Sequence, residues 1–344
     1  MRRAAVQLVG PVLLLLAVAL VGHFMTQARQ LEFENALVKA AIVIALYVFI
    51  GNSGVVSFGQ VSFVAVGAYL SGLLTLETTQ KSFVLPNLIP VLRDHHVGTP
   101  LSLLLAAAIG GVYALLVGLP LMRLSGLPAG IATFAVLGIT YNVLRYWERI
   151  GPAAQAIPLV PESGPWTLGG GAVIAAAVAF AYQRSRFGRR LRATREDPQA
   201  AQASGINVYQ ERLVAFTLSG ALAGFAGALL VHELGSITTD QVYLELTFIT
   251  LAMLVVGGVA SLWGAVVGAL LISGLDSLLG DAENTIHVGF RLTLPDGTRL
   301  VTLGAIMALV LILRPSGLTG GKEFSLPRRR PSPTDVPAST TSAV

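Results

Sequence analysis

No cysteine occurs among the 344 residues. That excludes disulfides, thiolate metal sites and a cysteine nucleophile, and leaves the redox compartment open. Charge is scarce as well. Charged residues make up 12% of the chain, against about 25% in a soluble domain. Hydrophobic residues fill the space at 54%, and the mean hydropathy is +0.72. Apolar runs of about 20 residues suit membrane helices rather than barrel strands. The expected fold class is therefore an all-α integral membrane protein.

Motifs for chemistry are missing too. The three lysines are Lys39, Lys81 and Lys322. Only Lys81 precedes a serine, and Gln80 stands where a phosphate-binding loop needs glycine, so the chain does not hydrolyse ATP by that motif. No ionisable residue falls near the middle of a span. A charge there costs on the order of 3 kcal/mol, and a proton-coupled carrier usually needs such a carboxylate. Lys39, Glu77, Glu245 and Asp276 sit toward span ends and are expected to snorkel to the interface. Asp94-His95-His96 lacks metal-site spacing and reads as a solvated loop, and His232-Glu233 reads as an interfacial pair. Neither Gly-x-Ser-x-Gly nor His-Glu-x-x-His occurs. No catalytic residue, cofactor or metal is expected, and the chain does not read as an enzyme.

Ten candidate spans can be marked: 4–26, 36–50, 61–76, 100–122, 127–147, 167–183, 213–233, 243–258, 261–278 and 300–313. The first reads as an uncleaved span rather than a signal peptide, because its apolar run is long and no small-x-small cleavage site follows. The formal charge of +5 lies in loops flanking spans, where it orients a membrane protein rather than binding nucleic acid. With the N-terminus cytoplasmic, fifteen of the 23 lysines and arginines fall inside and thirteen of the 18 acids outside. Both termini are then cytoplasmic. The Pro-, Ser- and Thr-rich end, 321–344, reads as a disordered tail after a transmembrane domain of 1–320, its arginines against lipid headgroups. Pro295-Asp296-Gly297 reads as a tight outside turn.

Glycines punctuate the runs. Gly51, Gly54 and Gly59, with Ser53 and Ser57, separate the second and third spans. Two readings stand: a cytoplasmic turn, or a broken-helix element bordering a translocation path. Gly220-x-x-x-Gly224 and Gly264-x-x-x-Gly268 suit close helix packing. Gly257-Gly258 reads as a turn or kink.

A polar island, 184–212, carries seven arginines between two apolar runs. Within it Asp197 suits an N-cap, Pro198 the first helical position and Gly205 a left-handed close. The result is a helix of about two turns with small faces at Ala200, Ala201 and Ala203, which reads as a handle for a partner protein.

These pieces in this order resemble ABC-importer permeases for branched-chain amino acids, of the LivM type more than the related LivH type. The blocks are GNSGVVSFGQVSFVAVGAYLSGLL, LPLMRLSGLPAGIATFAVLGI, the island with its following helix, MLVVGGVASLWGAVVGALLI and LRPSGLTG. YWERIGPAAQAIPLVP and Thr238-Thr239 depart from the family pattern on the outer side. The resemblance implies a second permease, usually unlike, two cytoplasmic ATPases and an extracytoplasmic binding protein, in the cell membrane. It further implies that the helix docks on an ATPase through Pro198, Ala200, Ala201 and Gly205, with Arg195, Glu196 and Asp197 in charge-assisted contacts. Other small solutes (amide, urea or sugar) and an ion-coupled carrier are the alternative readings.

Overall fold

The computed structural model describes residues 2–85, 88–147, 149–150, 156–158, 164–284, 286–288, 290–292 and 298–324. The Pro295-Asp296-Gly297 turn and the tail from 325 onward lie outside the described residues. The described residues are helical almost throughout. In order the helices are α1 (Arg2–His23), α2 (Gln27–Leu46), α3 (Gln60–Thr75), α4 (Thr78–Val84), α5 (Pro90–Arg93), α6 (Thr99–Leu121) and α7 (Leu127–Tyr146). They continue as α8 (Pro165–Arg184), α9 (Arg186–Glu196), α10 (Pro198–Ala203), α11 (Val208–Leu234), α12 (Leu244–Gly257), α13 (Leu262–Asn284) and α14 (Thr298–Leu313). Two short antiparallel ribbons accompany them, Ile157–Pro158 with Ser236–Ile237 and Ile286–Val288 with Phe290–Leu292.

Among the described residues, seven helical stretches are long and apolar enough to cross a membrane, and three shorter apolar helices accompany them. The second begins at Gln27, well before the apolar run at 36. Its polar first turns hold together through ion pairs. Arg29 bridges Glu32 at 3.2 Å and Asp281 at 2.6 Å, and Gln30 donates to Glu34 at 2.9 Å.

Two helices form the axis of the bundle. From Ala40 to its end α2 is wholly buried, and α1, α8, α11, α12 and α13 surround it. On its far side α11 lies against α3 and α6. Small residues make that contact close. A Cβ at Gly227 would come within 2.0 Å of the Val64 carbonyl oxygen, and one at Gly224 within 2.4 Å of the Ala106 carbonyl oxygen. No side chain fits there, which is how membrane helices bring backbones together. Large apolar side chains of α6 and α7, including Leu104, Leu116 and Ile131, are exposed, as a lipid-facing surface requires.

The helix ends are set locally. Asn207 caps α11 by accepting from the Gln210 N–H at 3.2 Å, and Gly235 closes it at φ 65°. Gly257-Gly258 forms the turn between α12 and α13. The segment after α14 straps this turn: Leu318 N–H donates to Val256 O at 2.8 Å and Thr319 N–H to Gly257 O at 3.2 Å. The Glu323 carboxylate then accepts from the N–H groups of Leu262 and Trp263 at 3.0 and 3.3 Å, capping α13. Outside the long helices, buried Lys81 donates to the carbonyls of Leu92 and His95 at 3.0 and 2.6 Å, and its burial depresses its pKa.

Candidate functional site

The island between α8 and α11 folds as two helices, not one. Ser185 caps α9 by accepting from the Gly188 N–H at 3.2 Å. Asp197 caps α10, its Oδ1 accepting from the N–H groups of Gln199 and Ala200 at 2.9 and 3.0 Å. Gly205 follows at φ 81°. The α10 surface is divided. Glu196, Asp197, Pro198, Gln199, Ala200, Ala203 and Gly205 are exposed. Ala201 is 5% exposed and turns inward, so it packs on its own chain.

Arg195 also turns inward. Its Nη1 donates to the carbonyl oxygen of Gly51 at 2.6 Å. A Cβ on Gly54, where φ is 70°, would come within 2.9 Å of the Arg195 Cγ. The arginine ahead of the short helix and the glycines between α2 and α3 are thus in direct contact, although 144 positions separate Arg195 from Gly51.

Those glycines mark a break in the helical backbone. α2 widens into a π-turn at Tyr47–Gly51, which frees carbonyls. Asn52 Nδ2 satisfies two of them, Tyr47 O at 3.4 Å and Val48 O at 3.1 Å. The chain then runs without regular structure from 54 to 59. Ser53 Oγ accepts from the Val55 N–H at 3.1 Å, and Thr133 Oγ1 accepts from the Phe58 N–H at 3.2 Å. A Cβ at Gly59 would meet the Thr133 carbonyl oxygen at 2.6 Å. Thr133 stands six residues into α7, about 9 Å along its axis. The irregular segment therefore rises into the bundle and hydrogen-bonds to side chains there, as non-helical backbone at membrane depth must.

Of the path candidates, Gly51, Ser53, Ser57 and Gly59 are buried, and Gly54 is exposed. Val56 joins it at the surface, 51% exposed. A cavity of about 780 Å³ opens at this end. Ser53, Gly54, Val56, Thr194, Arg195, Pro198 and Arg212 line it, along with Val255 and Ala260 of the α12–α13 turn and Pro315 and Gly320 of the strap. Among the described residues that line it, Arg195 and Arg212 are the charged ones.

Above the cavity stands an aromatic group. The Phe58 ring meets those of Phe134 on α7 and Phe248 on α12 edge-on, at 6.2 and 6.4 Å. Phe134 and Phe248 are 41% and 53% exposed. Phe134, Gly138, Tyr141 and Arg145 follow one face of α7 at helical spacing. That spacing is visible in the sequence, but its partners on the break and on α12 are not.

Residues 35–311 match the family described as "Branched-chain amino acid transport system / permease component". This chain belongs to that family. The permease is 24% identical to the high-affinity branched-chain amino acid transport system permease protein LivM of Escherichia coli (strain K12), over 92% of this chain and 74% of that one. It is 33% identical to the probable branched-chain amino acid transport permease protein LivH of Methanocaldococcus jannaschii, over 40% of this chain and 42% of that one. It is also 30% identical to the autoinducer 2 import system permease protein LsrC of Escherichia coli (strain K12 / DH10B), over 44% and 48%. No solved structure matches the permease. The family is one of transport permeases rather than of enzymes.

Several polar residues of the permease sit elsewhere than their place in the sequence suggests. Lys39 and Asp276 do not snorkel. They pair at 3.2 Å between α2 and α13, with side chains 14% and 6% exposed. His232 and Glu233 are 2% and 6% exposed. His232 Nε2 lies 3.0 Å from the Ser71 hydroxyl, and Asn35 Nδ2 donates to Glu233 at 3.4 Å. Each is too distant in sequence from its partner for periodicity to show the contact. Glu77 and Glu245 are exposed.

At the end of α7 away from the cavity, the Arg145 Nη1 meets the Asp240 carboxylate at 2.7 Å. The Tyr141 hydroxyl donates to the same carboxylate at 2.6 Å. The Tyr141 ring stacks on that of Tyr243, 4.0 Å apart and 18° from parallel.

Proposed function

We propose that this permease is the passive membrane subunit of an ATP-driven importer for branched-chain or other hydrophobic amino acids. The likeness to LivM and LivH supports the solute class. In this reading the seven long apolar helices and the three shorter ones make ten crossings of the cell membrane. Both termini are cytoplasmic, residues 1–320 form the permease domain and 321–344 the tail. The gathering of Arg195, Arg212 and the strap after Arg314 around one cavity supports that sidedness. A second, unlike permease, two cytoplasmic ATPases and an extracytoplasmic binding protein complete the assembly.

The observation that carries the mechanism is the Arg195–Gly51 bond. α10 presents Gln199, Ala200 and Ala203 outward, a small-residue face on which an ATPase groove closes. When the ATPases close on ATP, α9 and α10 move as one body. Arg195 carries that displacement to the break at 51–54, and through Phe58 and Thr133 to α3 and α7. The path opens along Gly54, Val56 and the three phenylalanines. No covalent step belongs to this chain.

The test is uptake of labelled leucine into proteoliposomes. Uptake is expected only with the partner permease, the ATPases, the binding protein and ATP together. Concentrative uptake by the permease alone under an ion gradient would overturn the reading.

A further inference from the structure

The outer end of α7 carries a second arrangement that the coupling mechanism does not use. Arg145 and Asp240 are paired but not buried, with side chains 30% and 68% exposed. An exposed pair contributes little to stability. Yet the pair is built with care. Arg145 and Tyr141 both donate to one Asp240 oxygen, Oδ1, and Arg145 also donates to the Tyr141 hydroxyl. The Tyr141–Tyr243 stack lays an apolar surface beside the two charges. One turn further down the same face is Gly138, where an added Cβ would meet nothing within 4 Å. Below it come Phe134 and Phe248, and then the cavity of about 780 Å³.

A guanidinium recognises a carboxylate, bidentately where the geometry allows, and a carboxylate recognises an ammonium. A free amino acid carries both groups on one carbon, with a side chain beside them. We propose that Arg145 and Asp240 are the receiving site for a zwitterionic amino acid at the outer mouth. The ligand inserts between them, its carboxylate on Arg145 and its ammonium on Asp240. Two ion pairs replace one, and the site's net charge does not change. The hydrophobic side chain lies on the tyrosine stack and points into the gap beside Gly138. Because the pair ties α7 to the 240–243 segment, the same insertion separates those two elements and opens the way to the phenylalanines. The assignment rests on the amino-acid reading above and adds the residues that recognise the two charges.

The experiment uses the assembled importer in detergent, without nucleotide or binding protein, and ligand-observed NMR. The probes are L-leucine, isoamylamine, which lacks the carboxylate, and isocaproate, which lacks the ammonium. In the wild type, leucine is expected to bind about tenfold more tightly than either analogue, the effect of one charge-assisted contact at a wet site. Arg145→Gln is expected to bring leucine down to isoamylamine, and Asp240→Asn to bring it down to isocaproate. A pair that only fastens α7 would give a different result, in which each variant weakens all three ligands equally or none. Either outcome overturns the assignment, as does absence of leucine binding to the wild type. ATP-driven leucine uptake by the wild-type importer separates the failures. If uptake is present while the variants bind like the wild type, only the site assignment is wrong. If uptake is absent, the amino-acid reading itself is wrong.

Discussion

Replacing Arg195 with alanine should uncouple ATP hydrolysis from transport. The guanidinium makes a charged hydrogen bond to the Gly51 carbonyl at 2.6 Å in a half-buried place. Such bonds contribute about 1.5–3 kcal/mol, a factor of about tenfold to a hundredfold in the population of the correctly linked state. Arg195 is not on the exposed face of the island, so the ATPases should still assemble and turn over. The assay is leucine uptake and phosphate release in the same proteoliposomes. The expected result is uptake per ATP lowered at least tenfold, with hydrolysis within about threefold of the wild type. Gly54→Ala attacks the same contact from the other side. Its Cβ would press on the Arg195 Cγ at 2.9 Å, and at φ 70° alanine adds about 1–2 kcal/mol of backbone strain. Because both changes break one link, the double variant should be little worse than either single one. The reasoning is refuted if Arg195→Ala leaves uptake per ATP unchanged. It is refuted equally if uptake and hydrolysis fall together, which would place the residue in the ATPase contact.

Four further expectations follow from burial and packing. Ala200→Glu, on the exposed face of α10, should reduce co-purification of the ATPases while the permease melts normally. Ala201→Glu, 5% exposed, should lower the melting temperature of the permease itself. Gly227→Leu would drive a side chain into the Val64 carbonyl, where even a Cβ comes within 2.0 Å. It should cost 3 kcal/mol or more, at or beyond the top of the usual overpacking range of about 1–3 kcal/mol, seen as lost folded yield in detergent. Lys39→Met removes the cation paired with Asp276 and should destabilise by about 3–5 kcal/mol, whereas Lys39→Met with Asp276→Leu should recover most of that. Melting of the two variants side by side checks it.

What could be read in the sequence was local. The α10 helix was legible because its Asp-Pro start and Gly end act within a few residues. The membrane class was legible because apolar composition is a bulk property, and the glycine pairs because close helix contact needs small residues at a fixed spacing. The early start of α2 was hidden because Gln27 to Glu34 is polar, and its helix is held by partners such as Asp281 on α13. The Lys39–Asp276 pair spans 237 positions, so each residue alone looks like a charge at a span end. The inward turn of Ala201 depends on how α10 lies against its own chain, which helical spacing does not determine. The proposed path was half legible. Gly54 and the break were marked by composition, but the exposed Val56 and the trio of Phe58, Phe134 and Phe248 are assembled from three distant segments.

The most direct test exploits the absence of native cysteine. Spin labels are placed on Cys-substituted Ala203, on the outer face of α10, and Val56, in the exposed part of the break, each paired with a label on Leu104 of α6. Distances are measured by pulsed electron resonance in the assembled importer with and without a non-hydrolysable ATP analogue. The account predicts that both distances shift together on nucleotide binding, and that the Val56 shift disappears in Arg195→Ala while the Ala203 shift remains. A Val56 shift that survives the loss of Arg195, or an α10 movement that leaves Val56 in place in the wild type, would contradict it.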